Sequence, residues 1–392
     1  MHGDRLFSRS FGAALVTVAA ALALPAGEAA KAERAAPVCT LNFRPATLTT
    51  GTNPQTVVVG DFNADGNLDF AQVNYSGGGA GSVGVFLGNG DGTFQAGQTY
   101  DAGRGPDALA VGDVNGDGIP DLVVGNDTAN SVSVLIGNGD GTFKTHTDYP
   151  AGSFPHWVAL ADFDGNGTLD IAVVNEGDSD VGVLLNNGDG TFGAMKTFPT
   201  GQEPYSVAAA DFNHDGKMDL AVTGYYDSLV SILLGKGDGT FKTHVDYLTG
   251  TAPAVVVASD FNGDKKTDLA TVNYNNGETG SVSILLGDGK GAFAPHVDYE
   301  TGTGPDGLAV GSFNGDKFLD LAVANLIGGT MSVLPGNGDG TFGAHVDFPT
   351  DKYPLGIAAG QFHGQAKTKQ DIIVTNDLSA EAIAFINKSK CK

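Results

Sequence analysis

The 392-residue sequence has few basic residues, only two cysteines and no long apolar run beyond its N-terminal region. It contains 21 Lys and Arg against 45 Asp and Glu, which gives a net charge of -24. A nucleic-acid partner is disfavoured, because binding a phosphate backbone requires a basic surface that displaces counterions. No apolar segment is long enough to cross a bilayer, so we expect no membrane insertion.

The acidic residues must be concentrated in particular segments, because only 17% of the residues are charged while 41% are hydrophobic. That composition supports a packed core and argues against a solvated acidic tail. Glycine is abundant, at 59 residues. We therefore expect many tight turns.

The N-terminus has the features of a secretory signal peptide. Arg5 and Arg9 precede an apolar run over residues 11–24, which Pro25 and small residues follow. We expect residues 1–32 to be removed by cleavage between 27 and 32, residues 33–40 to form a linker and residues 41–392 to form one domain. The predicted location is therefore secreted or extracytoplasmic.

A nine-residue motif recurs through the chain, with copies that begin 49 or 52 residues apart and a proline seven positions before each copy. The copies are DFNADGNLD from Asp61, DVNGDGIPD from Asp113, DFDGNGTLD from Asp162, DFNHDGKMD from Asp211, DFNGDKKTD from Asp260, SFNGDKFLD from Ser312 and an eroded seventh from Gln361. A second motif, NGDGTF or a close relative, follows in the first six units. A period near fifty residues is typical of a repeat fold.

Short apolar runs rich in Val, Ala, Ile and Leu lie between these motifs, and Gly, Asn, Asp or Pro bound them, which is typical of strands. Each unit offers four, and in the first unit we predict strands over 57–61, 68–73, 83–87 and 94–100. The fold class is therefore predicted as all-β, a seven-bladed β-propeller with four-stranded antiparallel blades. The residue at position 2 of each motif, usually Phe, is expected to pack between blades.

The chain ends predict how the ring closes. Residues 41–50 match a fourth strand, whereas the last unit stops after its third, so the N-terminal strand is expected to complete blade seven. That pairing brings Cys39 beside Cys391. In an exported protein two such cysteines favour a disulfide.

The nine-residue motif has the spacing of a calcium-binding loop. Side-chain oxygens at positions 1, 3, 5 and 9, with Gly at position 6 for the bend, supply the ligands that Ca²⁺ requires. Five copies are complete, so we expect about five Ca²⁺ sites. Their candidate ligands are Asp61, Asn63, Asp65, Asp69, Asp113, Asn115, Asp117, Asp121, Asp162, Asp164, Asn166, Asp170, Asp211, Asn213, Asp215, Asp219, Asp260, Asn262, Asp264 and Asp268. A polar turn is the alternative, because Asp, Asn and Gly dominate turns.

The last two copies depart from the pattern. The sixth begins with Ser312 and carries Lys317 at position 6, so that Asn314, Asp316 and Asp320 form at most a weak site. The seventh, with Gln361, His363 and Gln365, is expected to hold no ion. For NGDGTF a hairpin turn alone explains the pattern.

The DFNxDGxxD loop on a fifty-residue unit resembles the FG-GAP/VCBS repeat, the blade of the integrin alpha-subunit N-terminal propeller. The resemblance spans residues 41 to 388. It implies a seven-bladed propeller with Ca²⁺ between the first and second strands of several blades. It also implies that the opposite face binds ligands, which in various members are proteins or carbohydrates.

Aromatic residues that break the repeat mark that opposite face. The candidate ligand residues are Tyr75, His156, Trp157, Tyr205, Tyr225, Tyr226 and Tyr274. Scattered surface exposure is the alternative. Six asparagines that follow the second strand either bind a polyol or, more simply, start turns.

These features predict a secreted, calcium-binding propeller, expected to be monomeric, that acts as an extracellular ligand-binding or adhesion module for a protein or a carbohydrate. The sequence contains no HExxH and no GxSxG motif. The alternative is a carbohydrate-active enzyme of lyase or dehydratase type on the same scaffold, which carboxylates and histidine converging on the channel would favour. The available residues are Asp107, His156, Glu176 and Asp306. A third possibility is a scaffold with an inert face.

Overall fold

The computed structural model describes residues 39–364 and 369–391, about half of which belong to seven four-stranded antiparallel sheets. Inner strands of successive blades lie side by side, and that of blade seven lies beside that of blade one, which closes the ring. The predicted seven-bladed propeller is confirmed. The predicted signal peptide and linker residues 33–38 lie outside the described residues. No helix in the described ranges is long and apolar enough to cross a membrane.

Each blade starts with an inner strand that leads into an Asp loop and a second strand that leaves it. The inner strands are Pro54–Gly60, Pro106–Gly112, Pro155–Ala161, Pro204–Ala210, Pro253–Ser259, Pro305–Gly311 and Pro354–Gly360. The second strands are Asp69–Asn74, Asp121–Asn126, Asp170–Asn175, Asp219–Gly224, Asp268–Asn273, Asp320–Asn325 and Asp371–Asn376. In blade one Pro54 pairs with Asn74 and Gly60 with Asp69. The prolines and the Asp loops therefore lie at opposite ends of the propeller, about 20 Å apart at ~3.3 Å per residue.

The outer half of each blade is a second hairpin. The third strands are Ala80–Phe86, Ser131–Leu135, Asp180–Leu184, Leu229–Leu233, Thr279–Leu285, Thr330–Leu334 and Glu381–Asn387. The outer strands are Gln98–Arg104, Thr147–Pro150, Lys196–Pro199, Val245–Leu248, Val297–Thr303, Val346–Pro349 and, for blade seven, Phe43–Thr49. The predicted start of the outer strand at Phe94 is wrong, because Phe94 closes the NGDGTF turn through a bridge to Gly88 and packs its ring on Phe70.

The N-terminal strand closes blade seven as predicted, with Phe43 opposite Asn387 and Thr49 opposite Glu381. Beyond it, Cys39 lies directly opposite Cys391 in a short antiparallel pair. No disulfide is found among the described side chains, and the side chains of these two residues are not among them. The disulfide therefore stays a prediction.

The core consists of clusters that fill the spaces between blades. All six residues of every second strand are buried, and these strands are mostly apolar between their ends, with one internal Gln or Thr in four of the seven. The position-2 side chain of each loop packs against the next blade, as predicted; Phe62, for example, meets Phe143 edge-on at 5.6 Å between ring centroids. Burying one such apolar side chain contributes about 1.5–3 kcal/mol, and the repeat multiplies that gain around the ring.

Candidate functional site

The first five Asp loops share one backbone conformation. In the first, Asp61 accepts hydrogen bonds from the backbone N–H groups of Asp65 at 3.1 Å and Gly66 at 2.9 Å. The position-1 aspartates Asp113, Asp162, Asp211 and Asp260 make the same two bonds. These contacts turn the carboxylate at position 1 into the loop.

The fifth and the sixth loop both carry lysine at position 6, but only the fifth keeps this shape. Gly66 has a φ of 82°, which glycine adopts freely, and Lys265 holds a φ of 66° at a cost of roughly 1–3 kcal/mol. Lys317, at position 6 of the sixth loop, has no positive φ. There Ser312 donates its hydroxyl to the carbonyl of Asp316 at 3.1 Å, so the sixth loop folds on itself in another way.

The aspartate at position 9 is a buried clamp in every blade. Asp69 accepts the N–H of Phe62 at 2.8 Å through Oδ2 and that of Gly88 at 2.7 Å through Oδ1. The equivalents are Asp121, Asp170, Asp219, Asp268, Asp320 and Asp371. The loop spacing predicts only a metal role for this residue. Its survival in the sixth and seventh copies, which lost other ligands, was the signal for a structural role.

Burial raises the pKa of most of these clamping carboxyls. It raises the pKa of Asp69 to about 6, and two backbone hydrogen bonds oppose the rise without cancelling it. The same value applies to Asp121, Asp170, Asp219 and Asp320. A nearby positive charge would favour the ionised form.

The donor sets of the loops fit a hard cation. In the third loop the carboxylate oxygens of Asp162, Asp164 and Asp170 lie within 4.8 Å of one another, and no other group of three His, Cys, Asp or Glu in the described ranges does so. The first loop has an amide at position 3, and Asn63 donates to Asp65 at 3.0 Å. Carboxylate and amide oxygens are the ligands that Ca²⁺ prefers.

Three loops pair a basic group with a loop carboxylate. In the fourth, Lys217 Nζ lies 3.7 Å from Asp215 Oδ2. In the fifth, Lys266 Nζ lies 2.9 Å from Asp264 Oδ2, which supplies one positive charge locally. In the seventh, His363 Nδ1 lies 2.8 Å from the clamping carboxylate of Asp371. Gln365 lies outside the described residues.

The position-2 carbonyl of each loop accepts a hydrogen bond from the next blade. Five donors are backbone groups of the NGDGTF-type turns: Gly141 to Phe62 (2.9 Å), Gly239 to Phe163 (3.0 Å), Gly291 to Phe212 (3.1 Å), Gly340 to Phe261 (3.1 Å) and Gly92 to Phe362 (2.8 Å). The other two are side-chain amides, Asn186 to Val114 and Asn387 to Phe313, both at 2.7 Å. Every joint of the ring therefore has one of these bonds.

The NGDGTF aspartates are occupied within their own turns. Asp91 Oδ1 accepts the N–H of Thr93 at 2.9 Å and its hydroxyl at 2.5 Å, and these bonds lower the pKa of Asp91. Asp140 bonds Thr142 in the same way. A hairpin turn is sufficient to explain the motif.

At the other end of the propeller, the residue after each repeated proline is not repeated: the seven blades carry six kinds of side chain there. These residues, in blade order, are Gln55, Asp107, His156, Tyr205, Ala254, Asp306 and Leu355. A shift in strand register follows each proline, for example between Pro155 and Trp157. We call this end the variable end and the opposite one the loop end.

Four of these side chains form a chain of contacts that reaches across the ring. His156, 6% exposed, has Nε2 at 3.1 Å from Asp107 Oδ2 and Nδ1 at 3.1 Å from the carbonyl of Tyr205. The rings of His156 and Tyr205 lie 3.8 Å apart. The Tyr205 hydroxyl donates to Asp306 Oδ2 at 3.4 Å, which joins blade four to blade six.

Carboxylates dominate the electrostatics of this cluster. Burial lowers the pKa of His156, but Asp107, Glu176 and Asp306 together raise it above its usual value. Both ring nitrogens face oxygen acceptors, which suits a doubly protonated imidazole. Burial and the Asp306 carboxylate hold the pKa of Tyr205 well above its usual value, so its hydroxyl stays a donor.

The aromatic ligand candidates are more buried than loop-tip residues should be. Tyr226 is 61% exposed, whereas Tyr274 is only 5% exposed. Tyr225 stacks on Tyr205 at 5.7 Å and lies 6.4 Å from Tyr274. The expectation of an exposed aromatic surface is wrong for Tyr274 and for His156, because both pack in this cluster.

Trp157 and Tyr75 are also held inside the structure. Trp157 is partly buried and packs against two core clusters, one between blades three and four and one between blades five and six. It therefore fills the channel instead of standing at its rim. Tyr75 is half-buried, and its N–H donates to Asn53 in the neighbouring loop at 2.9 Å.

Two further sets of repeated polar residues are structural. The six asparagines after the second strands are buried; Asn175, for example, accepts the N–H of Gly152 at 3.0 Å and donates to Asp180 at 2.7 Å. Their burial and these contacts favour the turn interpretation over a polyol site. Just before four outer strands a histidine bonds the aspartate two residues on, as His146 does with Asp148 at 2.7 Å.

Comparison with known families agrees with these repeats. Five segments, residues 73–124, 113–173, 162–222, 215–271 and 260–323, match the FG-GAP-like repeat. The chain belongs to the FG-GAP-like repeat family. The resemblance drawn from the DFNxDGxxD loops is thereby confirmed, and the matched segments contain the second to the sixth loop. No curated protein matches the chain.

Solved structures of other propellers share the fold at low identity. Virginiamycin B lyase from Staphylococcus aureus is 14% identical with a TM-score of 0.57, over 88% of this chain and 99% of that one. A periplasmic gluconolactonase from Pseudomonas aeruginosa is 15% identical with a TM-score of 0.58, over 77% and 86%. A chain of the BBS1N–ARL6DN complex is 12% identical with a TM-score of 0.59, over 90% and 98%. These likenesses concern the fold alone.

Proposed function

We propose that this FG-GAP-like protein is a secreted, calcium-stabilised binding module whose extracellular ligand, a protein or a carbohydrate, docks at the variable end. One observation carries the proposal: at the variable end, one position of a regular repeat carries six kinds of side chain in seven blades, and four of these side chains converge. A residue that holds the fold recurs with the fold, whereas a surface that selects one ligand needs different groups at different places.

The calcium part of the proposal rests on the five loops of equal conformation. Their carboxylate and amide oxygens at positions 1, 3, 5 and 9 would hold the ion, and the ion would supply the positive charge that the buried aspartates lack. Three carboxylates converge already in the third loop. The sixth loop, with Asn314, Asp316 and Asp320, folds differently and would hold an ion weakly.

The charge of the variable end restricts the class of ligand. Asp107, Glu176 and Asp306 surround a single His156 there. Charges in a partly buried site interact more strongly than in water, so a uronate or a sulfated glycan would be repelled. A neutral glycan or a basic protein surface fits better.

Binding assays on paired variants test the proposal. The purified protein is screened against neutral, acidic and basic glycans and against extracellular proteins. Tyr226→Ala and Glu176→Gln should weaken binding of the ligand found, whereas Asp140→Asn, at an exposed turn of the loop end, should leave it unchanged. Equal loss in all three variants, or a preference for acidic glycans, would contradict the assignment.

An enzyme is the second candidate, because the side chains that a lyase or dehydratase would need do converge. Asp107, His156, Tyr205 and Asp306 come from four blades and touch in sequence. Incubation with glycans and detection of new unsaturated ends by ultraviolet absorbance tests this function. Turnover that disappears in His156→Asn and persists in Asp140→Asn would establish it, and absence of turnover leaves binding as the function.

A further inference from the structure

The Asp loops hold neighbouring blades together as well as bending their own chain. In all seven blades the carbonyl at position 2 accepts a hydrogen bond from the following blade, at 2.7–3.1 Å. The side chain of the same residue packs on that blade; Phe212 and Phe293, for example, lie 5.5 Å apart edge-on. Position 2 is therefore the contact point of each joint.

The same residue is fixed from inside its own loop. The N–H of Phe62 donates to the clamping Asp69, whose other oxygen accepts the N–H of Gly88 at the end of the third strand. Phe62 also lies between Asp61 and Asn63, the first two candidate ligands. Any group that fixes these ligands also fixes the carbonyl that the next blade binds.

The donor side of the joint is equally constrained. Gly141 reaches Phe62 with a φ of 83°, and a Cβ at this position would lie 2.8 Å from Leu87. Glycine adopts this backbone angle freely, and a side chain here would have to displace Leu87. The joint is thus a fixed backbone contact with little freedom to slide.

The seventh joint, which closes the ring, differs in one respect. His363 Nδ1 lies 2.8 Å from Asp371 Oδ2, the oxygen that also accepts the N–H of Phe362 at 2.8 Å. Gly92 then donates to the carbonyl of Phe362, and Gly364 donates to Gly90 in the same turn at 2.9 Å. A side chain of the protein here contacts the clamp from within the loop.

We propose that ion binding in loops one to five stiffens the joint that follows each loop, and that His363 makes the ring-closing joint independent of the ion. This inference rests on the proposed calcium sites. An ion that binds the folded loop opposes every local opening that distorts it, by mass action. At the seventh joint the His363 imidazole takes the place of the ion whether or not calcium is present. The ring therefore stays closed when calcium is low.

Hydrogen exchange resolved to single amides tests the inference in the purified protein. In excess Ca²⁺ compared with chelator, exchange of Gly141, Gly239, Gly291 and Gly340 should slow by about ten-fold, whereas exchange of Gly92 should not change. Asp65→Asn, which keeps the oxygen that bonds Asn67, should remove the calcium effect at Gly141 and leave it at Gly239.

Variants at His363 test the second part of the inference, that His363 makes the ring-closing joint independent of the ion. His363→Ala should speed exchange of Gly92 by about ten-fold, equally with calcium and with chelator. His363→Asn places an amide donor at the position of Nδ1 and should restore the slow exchange. An equal calcium effect at Gly92 and Gly141, or no effect of His363→Ala, would overturn the inference.

The two proposals fail in different ways. If calcium slows exchange of the loop amides, such as Gly66 and Gly118, but not of the joint amides, the calcium sites stand and the coupling to the joints is wrong. If calcium slows no loop amide, the calcium part of the proposed function is wrong, and the role of the ion at the joints is overturned with it.

Discussion

The two ends of the propeller are built on the same strands but use sequence in opposite ways. At the loop end, Asp69 and its six equivalents repeat because each bonds two buried backbone N–H groups. At the variable end, the residue after the proline has no shared backbone partner, and seven units carry six kinds of side chain there. The need to pair buried backbone N–H groups therefore explains which residues repeat. Positions without that need can vary from blade to blade and so can select a ligand.

Calcium removal should give the largest effect if the loop end is an ion-dependent region. A site with free ion at about 100 Kd adds about 2.7 kcal/mol of stability, and about five sites share the ring. Chelation should lower Tm markedly, as followed by circular dichroism. An unchanged melting curve after confirmed ion removal would break the contrast between the two ends.

Reduction of the predicted Cys39–Cys391 disulfide should give the second-largest loss of stability. Residues directly opposed in an antiparallel pair have Cα atoms about 4.5–5.5 Å apart, within the disulfide range. The bond would close a loop of roughly 350 residues, for which chain entropy predicts up to about 6 kcal/mol. Cys391→Ser should lower the unfolding free energy, measured by denaturant titration, by up to that amount. Two free thiols in the untreated protein would refute the bond.

Loss of one clamp should cost less than either of these. Asp121→Ala leaves two buried N–H groups unpaired, at about 1–3 kcal/mol each, and calorimetry in chelator measures the loss. Asp117→Ala, at the exposed position 5 of the same loop, is the control and should cost under about 1 kcal/mol in chelator. Equal losses would show that position 9 has no structural role apart from the ion.

The smallest effect should come from the variable end. Tyr205→Phe removes one hydrogen bond, 3.4 Å long, to Asp306 and should change unfolding free energy by about 1 kcal/mol or less. The result should not depend on calcium, in contrast to the loop variants. A large, calcium-dependent loss of unfolding free energy would mean that the stabilities of the two ends are coupled.

The fold was predictable because periodicity, turns and chain ends all point to the same ring. The complete loops were predictable for the same reason: Asp61, Asn63 and Asp65 recur at fixed spacing. The dual role of Asp69 was not, because its partners Phe62 and Gly88 are backbone groups that sequence does not mark. The burial of Tyr274 and His156 was missed because an aromatic residue near a strand end looks the same in sequence whether it faces solvent or packs inside.

The direction of the joints has a consequence for how such a chain changes in evolution. Each unit presents its acceptor, the position-2 carbonyl, to the unit that follows and carries a donor for the unit that precedes it. A duplicated unit inserted within the first six would meet compatible neighbours on both sides. Blade seven, with His363 in its loop and the N-terminal strand at its edge, is specialised as the last unit. The joints are therefore compatible with the gain or loss of whole blades everywhere except at blade seven, which closes the ring.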